Sequence, residues 1–236
     1  MLDAKRLLEQ FLGGDAGATL GQAGGKAKGM LDQVAGKTPG GYAGMAAAGG
    51  VLALLLGGKG IGKLAGGAVR YGGAAALGAL AFRAFQQWQQ QGNVQPPAAL
   101  PPPADVPAAY LPGAQPAANG EPFELSLMRA MIGAAKADGH VDAEEQKRIF
   151  DAVERIGLDT AAKGFVFDAL NRPADPASIA AAATTREQAA QIYLASRMAI
   201  DPDQPAERAY LDALVQRLSL PPALVAELDR QVAGIA

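Results

Sequence analysis

The sequence predicts an all-α protein. It reads as a Gly/Ala-rich membrane-associated helical segment, a Pro/Ala-rich linker, then a compact bundle of about seven helices with an internal pseudo-repeat. Three observations predict this. Apolar residues recur at helical spacing through the last half of the chain, strand-like alternation is missing there, and glycine and proline crowd the stretch before about residue 120.

The order of segments follows the composition. Residues 1–40 form a basic, Gly-rich N-terminal region. Met1 to Gln91 carries nine Lys/Arg against four Asp/Glu, and Pro122 to the end carries twelve against seventeen, so a basic front half precedes an acidic back half. The net charge of −2 provides no concentrated basic face, which argues against a nucleic-acid partner. Cysteine is absent, which excludes disulfides and thiol chemistry.

Residues 41–91 form the Gly/Ala-rich segment. A charge-free run from Tyr42 to Gly58 lies near the lower length limit for crossing a bilayer, and a second run from Leu64 to Phe85 is interrupted by Arg70 and Arg83. Gly40, Gly44 and Ala48 fall four apart, as do Gly58, Gly62 and Gly66, then Ala74 and Gly78. Small residues so spaced let backbones approach closely in lipid. Tyr42 and Trp88 suit membrane interfaces. The expected partner is therefore a lipid bilayer, with a protein partner or self-association besides. The apolar run begins too far in for a cleavable signal peptide. Lysines on both sides of the first run leave its orientation open.

Residues 92–121 read as a linker, because a nearly uncharged Pro/Ala-rich stretch favours extended conformations and lacks the side chains for a core. Residues 122–236 carry the helical domain. Its stripes are Leu125, Met128, Ile132 and Ala135; Ile149, Phe150, Val153 and Ile156; Tyr210, Leu211, Leu214, Val215 and Leu218; and Leu224, Val225, Leu228 and Val232. Shorter helices fit Thr160 to Leu170, Pro176 to Ala183 and Thr185 to Ala199, where Thr185 and Gln188 have capping-box spacing. Glu144 to Leu158 resembles Ala206 to Leu220 at an offset of 62, and each copy follows an acidic turn.

The strings "MIGAAKADGHVDAEEQ" and "IYLASRMAIDPDQPAERAYLDALVQRLSLPPALVAEL" resemble the C-terminal domain of the YebE-like bacterial inner-membrane family, a branch of the TerB-like, tellurite-resistance-associated superfamily. The Gly/Ala-rich segment is similar to that family's membrane-proximal part. The resemblance implies a TerB-like all-α domain, an inner-membrane location and acidic turns that bind metal, and it brings no established biochemical activity with it.

Two readings of those turns stand side by side. Asp142 suits an N-cap, with Glu145 three residues later completing a capping box. Alternatively Asp138, Asp142 and Glu145, with Asp201, Asp203 and Glu207 of the second unit, supply oxygens for a hard cation such as Ca²⁺ or Mg²⁺. Zinc is not expected, since His140 is the sole histidine and no cysteine accompanies it. No serine has a nucleophile-elbow context, and "GKGIGK" (Gly58 to Lys63) lacks the spacing of a phosphate loop, so no catalytic residues are assigned. The expected function is a membrane-anchored, non-enzymatic interaction or sensing module in envelope or metal stress. The alternative is a structural membrane component that oligomerises through its Gly-rich helices.

Overall fold

A single helix, Phe123–Ala135, buries eleven of its thirteen residues and organises everything around it. So complete a burial follows from its composition: Leu125, Leu127, Met128, Met131 and Ile132 leave almost no polar face, and a helix apolar all round must be enclosed. The computed structural model describes residues 2–12, 73–90, 101, 103–137, 160–200 and 202–235. Among them the helices are α1 (Ala4–Leu12), α2 (Gly73–Gln89), α3 (Phe123–Ala135), α4 (Thr160–Asn171), α5 (Pro176–Ala180), α6 (Arg186–Ala199), α7 (Pro205–Leu218) and α8 (Pro222–Ile235), and no strand is present.

Helix α6 is the principal partner of α3, and the other helices surround this pair. Ile192 and Leu194 of α6 meet the α3 stripe in one core with Leu214 of α7 and Leu224 and Leu228 of α8. The Ser196 hydroxyl donates across the α3–α6 contact to the Ala130 carbonyl at 3.4 Å, which gives that buried hydroxyl a partner. The ends are set locally. Thr185 accepts from the Gln188 amide at 3.2 Å, and the Gln188 carboxamide accepts in return from the Thr184 amide at 2.8 Å. Pro176 occupies the first turn of α5, and the Asp175 carboxylate accepts from Ala177 and Ser178 at 3.1 and 3.0 Å.

Helix α2 falls within the segment expected to associate with the membrane. Residues 41–72 lie outside the described residues. Gly73–Gln89, assigned with them to the membrane, instead packs against α8, α6 and α1. Ala76, Leu77, Ala79, Leu80, Ala81 and Ala84 are buried, and the Gln231 side chain of α8 donates to Gln87 at 2.9 Å. Among the described residues no helix is long and apolar enough to cross a membrane. Helix α1 was not foreseen either. Asp3 caps it by accepting from the Arg6 amide at 3.0 Å, and Leu7 and Leu8 bury against α2 and α3.

The expected linker is likewise part of the fold over residues 103–121. Three single turns of 3₁₀ helix, Pro103–Asp105, Ala108–Tyr110 and Pro112–Ala114, form a strap over α2. Val106, Tyr110 and Ala117 are buried, and the Tyr110 ring lies 5.1 Å from Phe82 and 5.9 Å from Phe85 of α2. The close approach is made at Gly78, where a Cβ would stand 2.2 Å from the Tyr110 carbonyl oxygen. The small residue read as a lipid-phase contact therefore admits this chain's own backbone. Two or three aromatic anchors suffice to hold a Pro-rich segment whose conformational freedom is already low.

Candidate functional site

The carboxylates proposed as metal ligands are not assembled by the described structure. Asp138, Asp142, Glu145 and Asp201 lie outside the described residues, as does His140. Asp203 is exposed just before α7, and Glu207 is half-buried in the first turn of that helix. Among the described residues no group of three or more His, Asp or Glu side chains is placed to hold a metal ion.

A different set of residues converges on a crevice of about 210 Å³ between α3, α4, α5 and the end of the strap. Helix α3 contributes Ser126, Arg129 and Gly133, which share one face at spacings of three and four. The end of α4 brings Ala169, and Arg172 and Pro173 follow it. Ser178, Ile179, Ala181 and Ala182 come from α5 and its C-terminal turn, and Asn119 comes from the strap. Gly133 is needed for the walls to meet. A Cβ there would fall 2.6 Å from the Ile179 Cδ1 atom and 3.1 Å from the Tyr210 hydroxyl.

The walls are fastened by polar contacts. Arg129 directs both terminal nitrogens to the Glu121 carboxylate, while its carbon centre lies 4.9 Å from the Phe165 ring centroid. The Arg129 hydrogen bond, aided by one from Asn119, holds the Glu121 carboxyl below the usual glutamate range although burial opposes it. Lys136 donates its ammonium to the carbonyls of Leu170 and Arg172, closing the C-terminal end of α4 where cations are favoured. Burial draws its pKa below the ordinary lysine value. The Ala118 amide donates to the Ala182 carbonyl at 3.0 Å, which ties the strap to the rim beside α5.

Two polar atoms at this crevice are left without partners. The Ser126 hydroxyl is unbonded although the residue is only 4% exposed, and so is the buried Arg129 Nε. Leaving such a group unsatisfied costs about 1–3 kcal/mol. Both belong to residues that line the crevice, and each atom is itself closed off from solvent. The Ser178 hydroxyl donates to the Asp175 carbonyl at 2.9 Å, and Arg172 Nε pairs with the Asp168 carboxylate at 2.9 Å. The lining residues include two guanidinium groups and no carboxylate.

None of these residues belongs to a motif, which is why sequence reasoning missed them. One signal was available. Arg129 is the sole charged residue between Leu125 and Ala135, and a serine stands three residues before it on the same face.

Comparison with known proteins gives a family. Residues 41–232 match the family described as DUF533, protein of unknown function. An "Uncharacterized protein in ampR 5′region" of Yersinia enterocolitica is 33% identical over 95 residues, which cover 40% of this chain and 68% of that protein. No solved structure matches. The match extends over the Gly/Ala-rich segment, the strap and the bundle alike, and the chain belongs to the DUF533 family of proteins of unknown function.

Proposed function

We propose that the protein is a non-enzymatic interaction or sensing module of the bacterial inner membrane, active in envelope or metal stress. In this reading residues 41–72 associate with the bilayer and a TerB-like helical domain, similar to that of YebE-like proteins, is the receiving part. The observation that carries the receptor role is the crevice, two of whose lining residues, Ser126 and Arg129, hold a buried hydroxyl and a buried guanidinium nitrogen without hydrogen-bond partners. A helix bundle with a purely supporting role gains nothing from leaving them so. The charge-free run Tyr42 to Gly58 supports the bilayer association. Cation control through Asp138, Asp142, Glu145, Asp201, Asp203 and Glu207 belongs to the same proposal. It is checked by melting the protein in millimolar Ca²⁺ or Mg²⁺ against NaCl of equal ionic strength.

The decisive experiment is made in cells lacking the gene, grown under envelope stress and supplied with wild type or Ser126→Leu. The larger side chain alters the crevice wall, and a variant whose melt shows it to be folded should accumulate at the membrane while failing to restore growth. Full rescue by Ser126→Leu would favour a structural membrane component instead. Recovery of wild-type protein in the supernatant after a high-salt wash and ultracentrifugation would remove the membrane part of the reading.

A further inference from the structure

Helix α2 presents apolar residues to two separate cores. Leu77, Leu80 and Ala84 enter the main core, whereas Ala79 and Ala81 form a smaller cluster with Val106 and Tyr110 of the strap, bordered by Phe82, Phe85 and Leu111. The strap itself is fastened unevenly. Its back half is tied to the body: the Gln188 carboxamide donates to the carbonyls of Gln115 and Pro116 at 3.4 and 3.1 Å, the Ala118 amide donates to Ala182, Glu121 holds Arg129, and Ala117 reaches the main core. Its front half, residues 103–111, has no such ties. Among the described residues its hydrogen bonds close within the strap, the Tyr110 amide on Pro107 and the Leu111 amide on Ala108, each at 2.9 Å, and packing on α2 and α6 holds it down. The exposed Gly113 stands between the halves.

We propose that residues 103–111 are a latch that swings off α2 about Gly113 as one unit while the helix bundle stays folded, baring the face of α2 that carries Gly78, Ala81, Phe82 and Phe85. Opening breaks the smaller cluster and no hydrogen bond to the bundle, so it costs far less than global unfolding. Leu77, Leu80 and Ala84 keep their places in the main core throughout. Reclosing is favoured by composition, because Pro103, Pro107 and Pro112 restrict the freed segment and limit the entropy lost when it docks again. Gly78 sets the closed position, since only a residue without a Cβ lets the Tyr110 carbonyl come so near. The latch is independent of the crevice and of the receptor role assigned to it. It makes exposure of the outer face of α2 a controlled property of the fold.

The chain has no cysteine, so one introduced thiol reports its own site alone. In the full chain Ala81→Cys places a thiol beneath the latch and Ala195→Cys places one in the main core, both at positions with no exposure. With a thiol-specific chromogenic disulfide in native buffer, Ala81→Cys should be modified about 100-fold faster than Ala195→Cys, at a rate nearly unchanged by dilute urea, because opening the latch exposes little surface. Modification of Ala195→Cys should instead accelerate steeply with urea, since it awaits global unfolding. Gly78→Ala or Tyr110→Ala, added to Ala81→Cys, should speed its modification by roughly tenfold, and the same additions should leave Ala195→Cys unchanged, because they disfavour the closed latch alone. Should Ala81→Cys melt below wild type, Ala79→Cys in the same cluster gives the same reading. Equal rates beneath the latch and in the main core, with the same dependence on urea, overturn the proposal. So does a rate at the latch site that neither Gly78→Ala nor Tyr110→Ala alters.

Discussion

Arg129 and Glu121 join the central helix to the strap that precedes it: both terminal nitrogens of the guanidinium reach the carboxylate, the longer contact being 3.3 Å. Glu121 is 40% exposed, so water screens the pair, and about 1 kcal/mol is its expected worth. Glu121→Gln should therefore lower the melting temperature by roughly 2–4 °C at neutral pH. The pH dependence follows from the depressed carboxyl. Its stabilisation is present above the ordinary value of 4.5 and is lost as pH falls through the lower folded value. Wild type and variant should differ at pH 7 and converge in acid, and melts at both pH values would check this.

Gly78 and Gly164 offer a paired substitution. A Cβ at Gly78 would collide with the Tyr110 carbonyl, which is backbone and unable to swing aside, whereas Gly164 on the exposed side of α4 has nothing within 4 Å. Gly78→Ala should cost about 1–3 kcal/mol as the strap is pushed off α2. Gly164→Ala should add roughly 0.5–1 kcal/mol through helix propensity. Urea unfolding midpoints would show opposite signs if the strap lies where described.

Ser219 ends α7 in the left-handed region, at φ 52° and ψ 38°, with its amide donating to the Gln216 carbonyl at 3.2 Å. That conformation penalises a side chain and suits glycine. Ser219→Gly should raise stability by about 0.5–1 kcal/mol, and Ser219→Val should lower it by a similar or larger amount. Thermal melts of the three proteins would rank them.

Helix α2 gives the deletion experiment two endpoints. Removing residues 41–72 spares every described helix, and that shorter chain should melt cooperatively. Removal of residues 41–88 takes away Leu77, Leu80 and Ala84 from the core and should abolish the cooperative transition, as circular dichroism would record.

The legible parts of this fold were those with a period. Leu214 and Leu224 proved buried as their stripes required, and the Thr185–Gln188 box caps α6 because cap chemistry is local. Helix α2 is ambiguous in the sequence for a physical reason. A short helix whose first turns are almost wholly apolar satisfies the same pattern whether its surroundings are lipid or protein, and its packing on α8, α6 and α1 does not show in the sequence. The strap was illegible because single anchors such as Tyr110 carry no periodicity. The crevice joins Asn119, Ser126, Arg129 and Arg172 from three separate segments, and a sequence without motifs does not show which of its serines will lose their water.

Helices α1 and α2 both pack on the same bundle and on each other, so residues 13–72 depart from one body and come back to it. Whatever route they follow, its two ends share one side of any bilayer. Parity then governs topology. A single passage by Tyr42 to Gly58 would put α1 and α2 in different compartments and break their contact, so membrane entry requires an even number of crossings or a re-entrant dip. Reporters placed before Met1 and after Ala236 should consequently light up in the same compartment, and opposite signals would mean that α1 leaves the bundle in the cell.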